Sequence, residues 1–235
     1  MSDYIKINGV SSDTISGLLI QSLPAISKPR MRVNTIEIDG RAGDITTDLG
    51  YSAYDKEISI GLYGDYRIDD VISYFTSSGK VVFSNEPDKY YNFQIIDQID
   101  FIKLIRFKTA RVKFHVQPYK YSVIQGIKAL NITDQTSLTV NNMGNTVALP
   151  IITVVGSGTV NLSLNDRQIF TINFSDTVSS VSIDAQELEA YNENGLQNRA
   201  VSGNYDNLQL KTGINTISWT GNVTRISLER YSRWI

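Results

Sequence analysis

Few residue types in this 235-residue sequence could carry acid–base or metal chemistry. Cysteine is absent, and histidine occurs once, as His115. Without cysteine the chain cannot form a disulfide, a thiolate nucleophile or a Cys-containing zinc site. A single histidine also excludes a metal site that is built from several imidazoles. The groups left for catalysis are therefore carboxylates, lysines, tyrosines and His115, and any metal would need oxygen ligands.

His115 lies in an alternating segment, Lys113–Val116, that is typical of a β-strand. The alternation places its side chain on the face opposite Phe114 and Val116. A general base is one interpretation of this residue, but an exposed or hydrogen-bonded strand histidine is the interpretation that the pattern favours. With no second histidine in the chain, no other residue could take its place in a Ser–His–Asp triad.

Acidic residues offer a second route to catalysis, because glycoside hydrolysis needs only two carboxylates. If Ile183 to Leu188 continues as a strand, Glu187 and Glu189 share one face, about 7 Å apart. A solvated strand edge and loop is the alternative, and it is the interpretation we favour. None of the acidic groups has the spacing of a calcium loop. Asp184 clusters with these two glutamates, Glu193 follows shortly after, and the pairs Asp97 with Asp100 and Asp69 with Asp70 are judged in the same way.

The glycine-rich stretches do not match a phosphate-binding loop. Gly40–Gly43 lacks the Gly-Lys-Ser/Thr ending of a P-loop, and Gly156–Gly158 precedes a strand rather than a helix. Both are predicted to be turns. We therefore expect no enzyme activity and no cofactor, and we assign no catalytic, cofactor-binding or metal-binding residue.

Composition and charge indicate a globular protein whose small net charge does not favour binding to nucleic acid or to an acidic membrane. Hydrophobic residues make up 41% of the chain and charged residues 20%. The 22 basic and 24 acidic residues give a net charge of −2. We therefore expect no specific binding to nucleic acid and no attraction to an acidic membrane. Neither a signal peptide nor a membrane-inserting segment is expected, because no apolar run has the required length.

The first half of the chain reads as strands with one helix. Arg32–Asp39 alternates as a half-buried strand does, and Gly40–Asp44 supplies glycines for a hairpin tip. Apolar residues in Ile68–Phe75 have the spacing of a helix face, and Gly79 is predicted to stop that helix. Further strands are predicted within residues 57–62, 81–83 and 107–116.

The second half is predicted to be an antiparallel β-sandwich, because short strands alternate with turns. Its predicted turns include Gly156–Gly158 and Asn165-Asp166. A boundary near residues 120–135, with a linker-like Gln125-Gly126, separates the halves, so we expect two domains, 1–125 and 126–235. The predicted strands lie within residues 150–155, 160–164, 170–174, 178–183, 208–210, 213–219 and 223–228.

Thirteen tyrosines form several close pairs along the sequence. Surface tyrosines suit protein contacts, since they bury a large area and keep a polar tip. They also suit sugar binding, and the remaining alternative is that they are strand and core residues. The pairs are Tyr51/Tyr54, Tyr63/Tyr66, Tyr90/Tyr91 and Tyr119/Tyr121.

The order of several motifs resembles the distal tail proteins of long-tailed bacteriophages (siphoviruses), over nearly the whole chain. In the first half these motifs are RVNTIEIDGRAGDI, GYSAYDKEISIGL, VVFSNEPDKYYN and RFKTARVKFHVQPYKY. In the second half they are NNMGNTVALPIITVVGSG, VSIDAQELEAY and LKTGINTISWTGNVTRISLERYSRWI.

The resemblance implies a structural virion protein at the tail tip, made in the cytoplasm of the host bacterium. Its N-terminal domain would be a split β-barrel with one short helix and an extended β-hairpin, and its C-terminal domain a galectin-like β-sandwich. Six copies would close into a hexameric ring, a baseplate hub with DNA passing through its channel. The ring would join the tail tube protein on one face to the tail-associated spike or lysin protein on the other. The resemblance leaves open whether receptor-binding proteins are further partners.

Two other functions stay open beside this one. The first is a carbohydrate-binding adhesion module that recognises the host surface. Sugar-binding galectins use a polar set that includes His, Arg and Trp, and the second half of this chain has no His, although Trp219 and Trp234 lie there. The resemblance therefore implies the sandwich shape without its sugar site. The second is the two-carboxylate hydrolase.

Overall fold

A computed structural model of the chain describes residues 3–132 and 134–235. The chain divides into two compact units, which we call unit 1 (residues 3–123) and unit 2 (residues 124–234). The sequence predicts a division after residue 125, within the boundary stretch 120–135. Thr133, which belongs to that stretch, lies outside the described residues. The fold is mainly β in both units, as predicted.

Seven described strands of unit 1 form one antiparallel sheet, and two more form a separate hairpin. The order across the sheet is β2-β1-β7-β8-β9-β6-β3, and the hairpin consists of β4 and β5. Two α-helices and one 3-10 turn, Ser12–Thr14, complete the described part of this unit. The bounds are β1 Ile5–Ile7, β2 Val10–Ser11, β3 Leu18–Ser22, β4 Met31–Glu37, β5 Asp44–Tyr51, β6 Tyr54–Leu62, α1 Ile68–Tyr74, β7 Ser78–Phe83, β8 Lys89–Gln94, α2 Phe101–Phe107 and β9 Thr109–Ser122.

The core of unit 1 follows from the alternation of its central strands. Along β9, Ala110, Val112, Phe114 and Val116 are buried, and the residues between them are exposed or half-buried. The curled sheet encloses these side chains together with those of β1, β6, β7 and β8. Helix α1 covers the core with Val71 and Tyr74, and Asp69 and Asp70 occupy its first turn, where the helix dipole favours them.

Two details of the helices differ from the sequence predictions. Helix α1 ends at Tyr74, and Gly79 lies inside β7 rather than after the helix, so its predicted role as a stop is wrong. Helix α2 is absent from the sequence predictions. It begins after Asp100, whose carboxylate accepts a hydrogen bond from the Lys103 amide at 2.8 Å, and it ends at Phe107, before the capping residue Lys108, whose φ is 57°. Phe107 therefore ends a helix, whereas the sequence predicts it in the strand that follows.

The strands of unit 2 form an antiparallel sheet that folds over a single apolar core. The described elements also include 3-10 turns at Asn198–Ala200 and Tyr205–Asn207. The strands are β10 Lys128–Asn131, β11 Ser137–Asn142, β12 Ile151–Leu164, β13 Arg167–Asn173, β14 Ser180–Asp184, β15 Glu189–Asn192, β16 Gly195–Leu196, β17 Val201–Gly203 and β18 Gly213–Glu229, and a short strand β19 follows at Arg233–Trp234.

Two long strands, β12 and β18, run through the whole sheet, and β12 pairs with a different neighbour in each of its two parts. The first part of β12, Ile151–Val155, pairs with β14, and its second part, Thr159–Leu164, pairs with β13. Strand β18 follows β12 through both parts, with shifts of register between them. The predicted turn at Gly156–Gly158 is therefore wrong, since these glycines lie inside β12. The predicted two-residue turn at Asn165-Asp166 is confirmed, with φ values of 48° and 66°.

Two other strand predictions in unit 2 need correction. Residues 213–219 and 223–228 belong to one strand, β18, and do not form two. Residues 208–210 form no strand, and Leu210 makes a single bridge to Ala148. Alternation alone cannot separate one bent strand from two short ones, because both arrangements bury alternate residues on each side of the bend.

Gly221 allows β18 to pass close to β12 at the bend. Its φ is +95°, and a Cβ atom at this position would lie 2.3 Å from the Thr159 carbonyl oxygen. We expect Gly221→Ala to lower the free energy of unfolding by about 2 kcal/mol or more, since it combines backbone strain with a steric clash. Urea unfolding followed by tryptophan fluorescence would measure this, because both tryptophans lie in unit 2.

Gly126→Ala is the matched control for this prediction. A Cβ atom at Gly126 would have no neighbour within 4 Å, and the φ of this residue lies outside the left-handed region. Its substitution should leave the unfolding midpoint unchanged. Equal effects of the two substitutions would show that the bend does not depend on a glycine.

Candidate assembly surface

The residues selected for their chemistry do not come together in a catalytic arrangement. His115 Nδ1 lies 2.8 Å from Asp55 Oδ1 on the outer face of the sheet of unit 1. On the same face Lys113 pairs with Asp97 at 2.7 Å, and Arg111 pairs with Glu57 at 3.2 Å. The histidine is thus a hydrogen-bonded strand residue within a row of surface ion pairs, which is the interpretation that the sequence favours.

The two-carboxylate arrangement also fails, because its strand does not continue. β14 ends at Asp184, the chain turns, and β15 begins at Glu189, so Glu187 lies in the turn between them. Asp184 stabilises that turn by accepting hydrogen bonds from the amides of Gln186 at 2.8 Å and Glu187 at 3.1 Å, and it pairs with Arg230. Within the described ranges no group of three metal-ligating residues comes together, and no helix there could span a membrane.

The hairpin of β4 and β5 is the least covered part of the described chain. Its strands pair only with each other, and their side chains are exposed from Met31 to Gly50. The strand predicted within Arg32–Asp39 is present as β4, but its predicted half-burial is wrong for the single chain. Ile36 lies opposite Ile45, and Val33 lies on the other face, opposite Asp48. Apolar side chains consequently face solvent on both sides of the hairpin.

Six large apolar side chains of the hairpin are between 39% and 52% exposed. Isolated exposed apolar residues are ordinary, but a contiguous set on a projecting element marks an interaction surface. The tip turns through Gly40 and Gly43, whose φ values of +78° and +79° are readily adopted only by glycine. The predicted hairpin tip at Gly40–Asp44 is confirmed. The exposed apolar residues are Met31, Val33, Ile36, Ile38, Ile45 and Leu49.

Side chains from the sheet fix the segment that leads into the hairpin. Residues 23–30 have no strand partner, and both prolines of this segment, Pro24 and Pro29, are buried. Asn85 Nδ2 donates to the Pro24 carbonyl at 2.9 Å, and Lys56 Nζ donates to the Ala25 carbonyl at 2.9 Å. The Tyr54 hydroxyl lies 3.5 Å from the Ser27 carbonyl. These donors satisfy backbone acceptors that would otherwise find no partner on the protein side.

Behind this segment lies a buried polar cluster. The Glu86 carboxylate accepts hydrogen bonds from Lys120 Nζ at 2.7 Å and from the Tyr91 hydroxyl at 2.5 Å. Lys56 lies beside them, with Nζ 5.0 Å from the centre of the Tyr91 ring. Two buried lysines and one carboxylate leave the cluster with a formal charge of +1, so Glu86 is the anion on which both lysines depend.

The pKa values of the cluster follow from burial and from these bonds. Burial lowers the pKa of Lys56, and Glu86 opposes that effect only in part. Burial alone would raise the pKa of Glu86, but the hydrogen bonds from Lys120 and Tyr91 outweigh it and hold that pKa below its ordinary value. Burial and the neighbouring carboxylate raise the pKa of Tyr91, which stays protonated and donates.

The tyrosines that pair along the sequence differ in burial and in contacts. Tyr91 is fully buried, and Tyr54 is half-buried over the same cluster. Tyr51, at the root of the hairpin, makes an edge-to-face contact with Tyr119 of β9, with ring centres 6.2 Å apart. Tyr63 is largely exposed. Tyr51 and Tyr54 thus join the hairpin and the segment before it to the sheet, a role that the sequence pattern could not distinguish from binding.

Unit 2 shows where a sugar could and could not stack. Trp219 is only 5% exposed and belongs to the core, so it offers no platform. Tyr191 is half-buried at the side of a polar hollow of about 360 Å³ on the β14–β15 hairpin. The other lining residues are Thr177, Ser179, Ser180, Ser182, Asn192, Glu193 and Asn194.

Comparison with known proteins identifies the architecture. No protein-family model matches the chain, and no curated protein matches it in sequence. Among solved structures, the SPP1 Dit (gp 19.1) protein, described as a paradigm of the hub adsorption apparatus in phages that infect Gram-positive bacteria, matches over 100% of both chains. The TM-score is 0.68 at 16% sequence identity. The chain has the Dit fold.

The Dit fold confirms, at the level of architecture, the resemblance that the order of sequence motifs indicates. Two structures of the phage P2 baseplate in its activated conformation also match, with TM-scores of 0.48 and 0.47 and identities of 9% and 10%. They cover 97% and 96% of this chain and 97% of each baseplate chain.

The cluster behind the hairpin root can be tested by removing its one anion. Glu86→Gln keeps the shape of the side chain but leaves Lys120 and Lys56 buried without a counter-charge. We expect the free energy of unfolding of unit 1 to fall by about 3 to 5 kcal/mol, as for other buried pairs that lose one partner. Circular dichroism during urea unfolding would measure the loss, and tryptophan fluorescence would report unit 2 separately.

Glu193→Gln provides the control, since Glu193 is exposed in unit 2 and should change stability by no more than about 0.5 kcal/mol. An unchanged stability of Glu86→Gln would contradict the central role of this carboxylate.

The same carboxylate predicts a dependence on acid. Because the pKa of Glu86 in the folded chain lies below its ordinary value of 4.5, the unfolded chain binds the proton more tightly. The stabilisation is therefore present above pH 4.5 and is lost as the pH falls through the folded-state value. Acid unfolding of the wild type should show this loss, and Glu86→Gln should show a shallower dependence over the same interval. Parallel curves would contradict the assignment.

Proposed function

We propose that the chain is a structural protein of the tail tip of a long-tailed bacteriophage, where six copies form a ring. In this role it links the tail tube to the host-adsorption apparatus, and DNA passes through the central channel. The observation that carries the proposal is the Dit fold over the full length of the chain, combined with a projecting hairpin that exposes apolar side chains on both faces.

The exposed hairpin supports assembly into a closed ring. A surface on one element that binds a different surface on the next copy is a heterologous contact, and such contacts close into rings when the rotation allows. Full burial of one aliphatic side chain contributes about 1.5 to 3 kcal/mol. The six apolar side chains of the hairpin are already about half covered, so burying the remainder would contribute about half of that each. This gain works against a loss of translational and rotational freedom of about 4 to 15 kcal/mol.

The charge balance of the first half supports a channel that does not hold DNA. Residues 1–125 contain 15 basic and 15 acidic residues, so their net charge is 15 − 15 = 0. A channel lined with excess lysine and arginine would bind phosphate strongly and would slow the passage of DNA. The partners proposed with this role are the tail tube protein on one face of the ring and the tail-associated spike or lysin protein on the other.

The mass of the purified chain in solution tests the ring. Light scattering coupled to size exclusion should give six times the monomer mass of 26.3 kDa, and negative-stain microscopy should show rings. A chain that stays monomeric over the whole concentration range, alone and in a mixture with a tail tube protein, would contradict the proposal.

The polar hollow at Tyr191 supports a second candidate, a carbohydrate-binding adhesion module. Hydroxyl and amide groups beside an aromatic ring are the chemistry that a sugar requires. Binding of the full chain to a glycan array, lost in Tyr191→Ala and kept in Tyr63→Ala, would favour this function. Absence of binding by the wild type would exclude it for the glycans tested.

A further inference from the structure

Helix α2 presents an apolar surface that nothing in the described part of unit 1 covers. Leu104 is the buried residue of the helix, and Ile102 and Phe107 are 72% and 67% exposed. Ile105 and the preceding loop residue Ile96 are also exposed. Four large apolar side chains on one short helix and its entry loop are more than the scattered exposure of an ordinary surface.

Both charged residues of helix α2 are basic. Lys103 and Arg106 are exposed, and no acidic side chain in the described chain pairs with either of them. Lys108 follows the helix, and its Nζ donates to the Tyr66 hydroxyl at 2.8 Å. Residues 101–108 thus carry three positive charges and no negative charge.

The hairpin tip has the opposite character. Residues 37–45 contain Glu37, Asp39 and Asp44 against the single base Arg41, so their net charge is 1 − 3 = −2. In the described chain none of these four side chains forms an ion pair. Three exposed isoleucines lie in or beside this acidic stretch, Ile36, Ile38 and Ile45. The tip is therefore both apolar and acidic.

We propose that the acidic, apolar hairpin tip of one copy docks on the basic, apolar face of α2 in the next copy of this chain. The two surfaces complement each other in charge and in hydrophobic character, and both are uncovered within one chain. Because they are different surfaces on separate elements, the contact is heterologous and each copy offers one donor and one acceptor. This inference rests on the proposed ring, and it names the surface that receives the hairpin.

Charge reversal on each side tests the contact with a defined rescue. Lys103→Glu with Arg106→Glu makes the acceptor acidic, and Asp39→Lys with Asp44→Lys makes the tip basic. Each double variant alone brings like charges together at every contact, so we expect each to need at least about tenfold more protein for assembly than the wild type. All four side chains are exposed, and circular dichroism should show an unchanged fold.

A mixture of the two variants in equal amounts gives the decisive result. In a head-to-tail ring of alternating variants, each basic tip meets an acidic acceptor and each acidic tip meets a basic acceptor. The mixture should therefore recover the six-copy mass that neither variant reaches alone. An interface between two identical surfaces would show no such rescue, and neither would an interface elsewhere on the chain.

A matched control separates this effect from a general effect of charge. Arg199→Glu with Lys211→Glu changes the charge by the same amount at exposed positions of unit 2, and this variant should assemble as the wild type does. A second acceptor variant, Ile102→Ser with Phe107→Ser, leaves the charge unchanged and should also prevent assembly.

The outcomes distinguish the two proposals. If the wild type forms rings and both reversed variants do so at the same concentration, the docking contact is wrong and the proposed function stands. The contact is also wrong if the mixture fails to recover the ring. If the wild type forms no ring at any concentration, either alone or in a mixture with a tail tube protein, the proposed function and the docking contact fail together.

Discussion

The projecting hairpin depends on a segment that has no strand to pair with. Residues 23–30 connect the sheet of unit 1 to the hairpin, and the carbonyl groups of Pro24 and Ala25 are bound by the side chains of Asn85 and Lys56 rather than by a neighbouring backbone. Lys56 is the charged donor among them, and a buried ammonium group is costly unless an anion compensates it. Glu86 supplies that anion and also binds Lys120 and Tyr91. The direction of the hairpin is therefore set by a polar network inside the unit, although the hairpin itself lies in solvent.

Much of this architecture can be predicted from the sequence, because alternation and turn chemistry are local. The strands of the core, helix α1, the glycine tip of the hairpin and the Asn165-Asp166 turn all follow from residues that are close in the chain. The resemblance in motif order also predicts a fold that the structure confirms. The correct predictions are those that a short-range pattern determines.

The errors share a physical cause. The hydrophobic pattern of a segment shows which residues suit burial, but it does not show whether another part of the chain covers them. Arg32–Asp39 alternates as a half-buried strand does, yet no layer of its own chain covers either face of β4 in the described structure. Helix α2 has apolar residues at five of its seven positions, so it shows no clean periodicity, and one of them is buried. In both cases the sequence encodes a surface suited to burial, and the described residues of the chain leave most of it exposed. The Lys56–Glu86 network escapes prediction for another reason, since its members are brought together only by the sheet.

The long strand β18 has a consequence for synthesis on the ribosome. It pairs with β10, β11 and β12, and in the described chain β10 and β11 have no other strand partner, so these two strands stay unpaired until residues 213–229 have been translated. Residues 3–123, by contrast, form a continuous stretch that is translated first. Since domains fold as units and N-terminal ones fold first, unit 1 can pair the seven strands β1 to β3 and β6 to β9 while unit 2 still lacks its longest strand. The nascent chain would then expose its hairpin to neighbouring copies before its second unit exists.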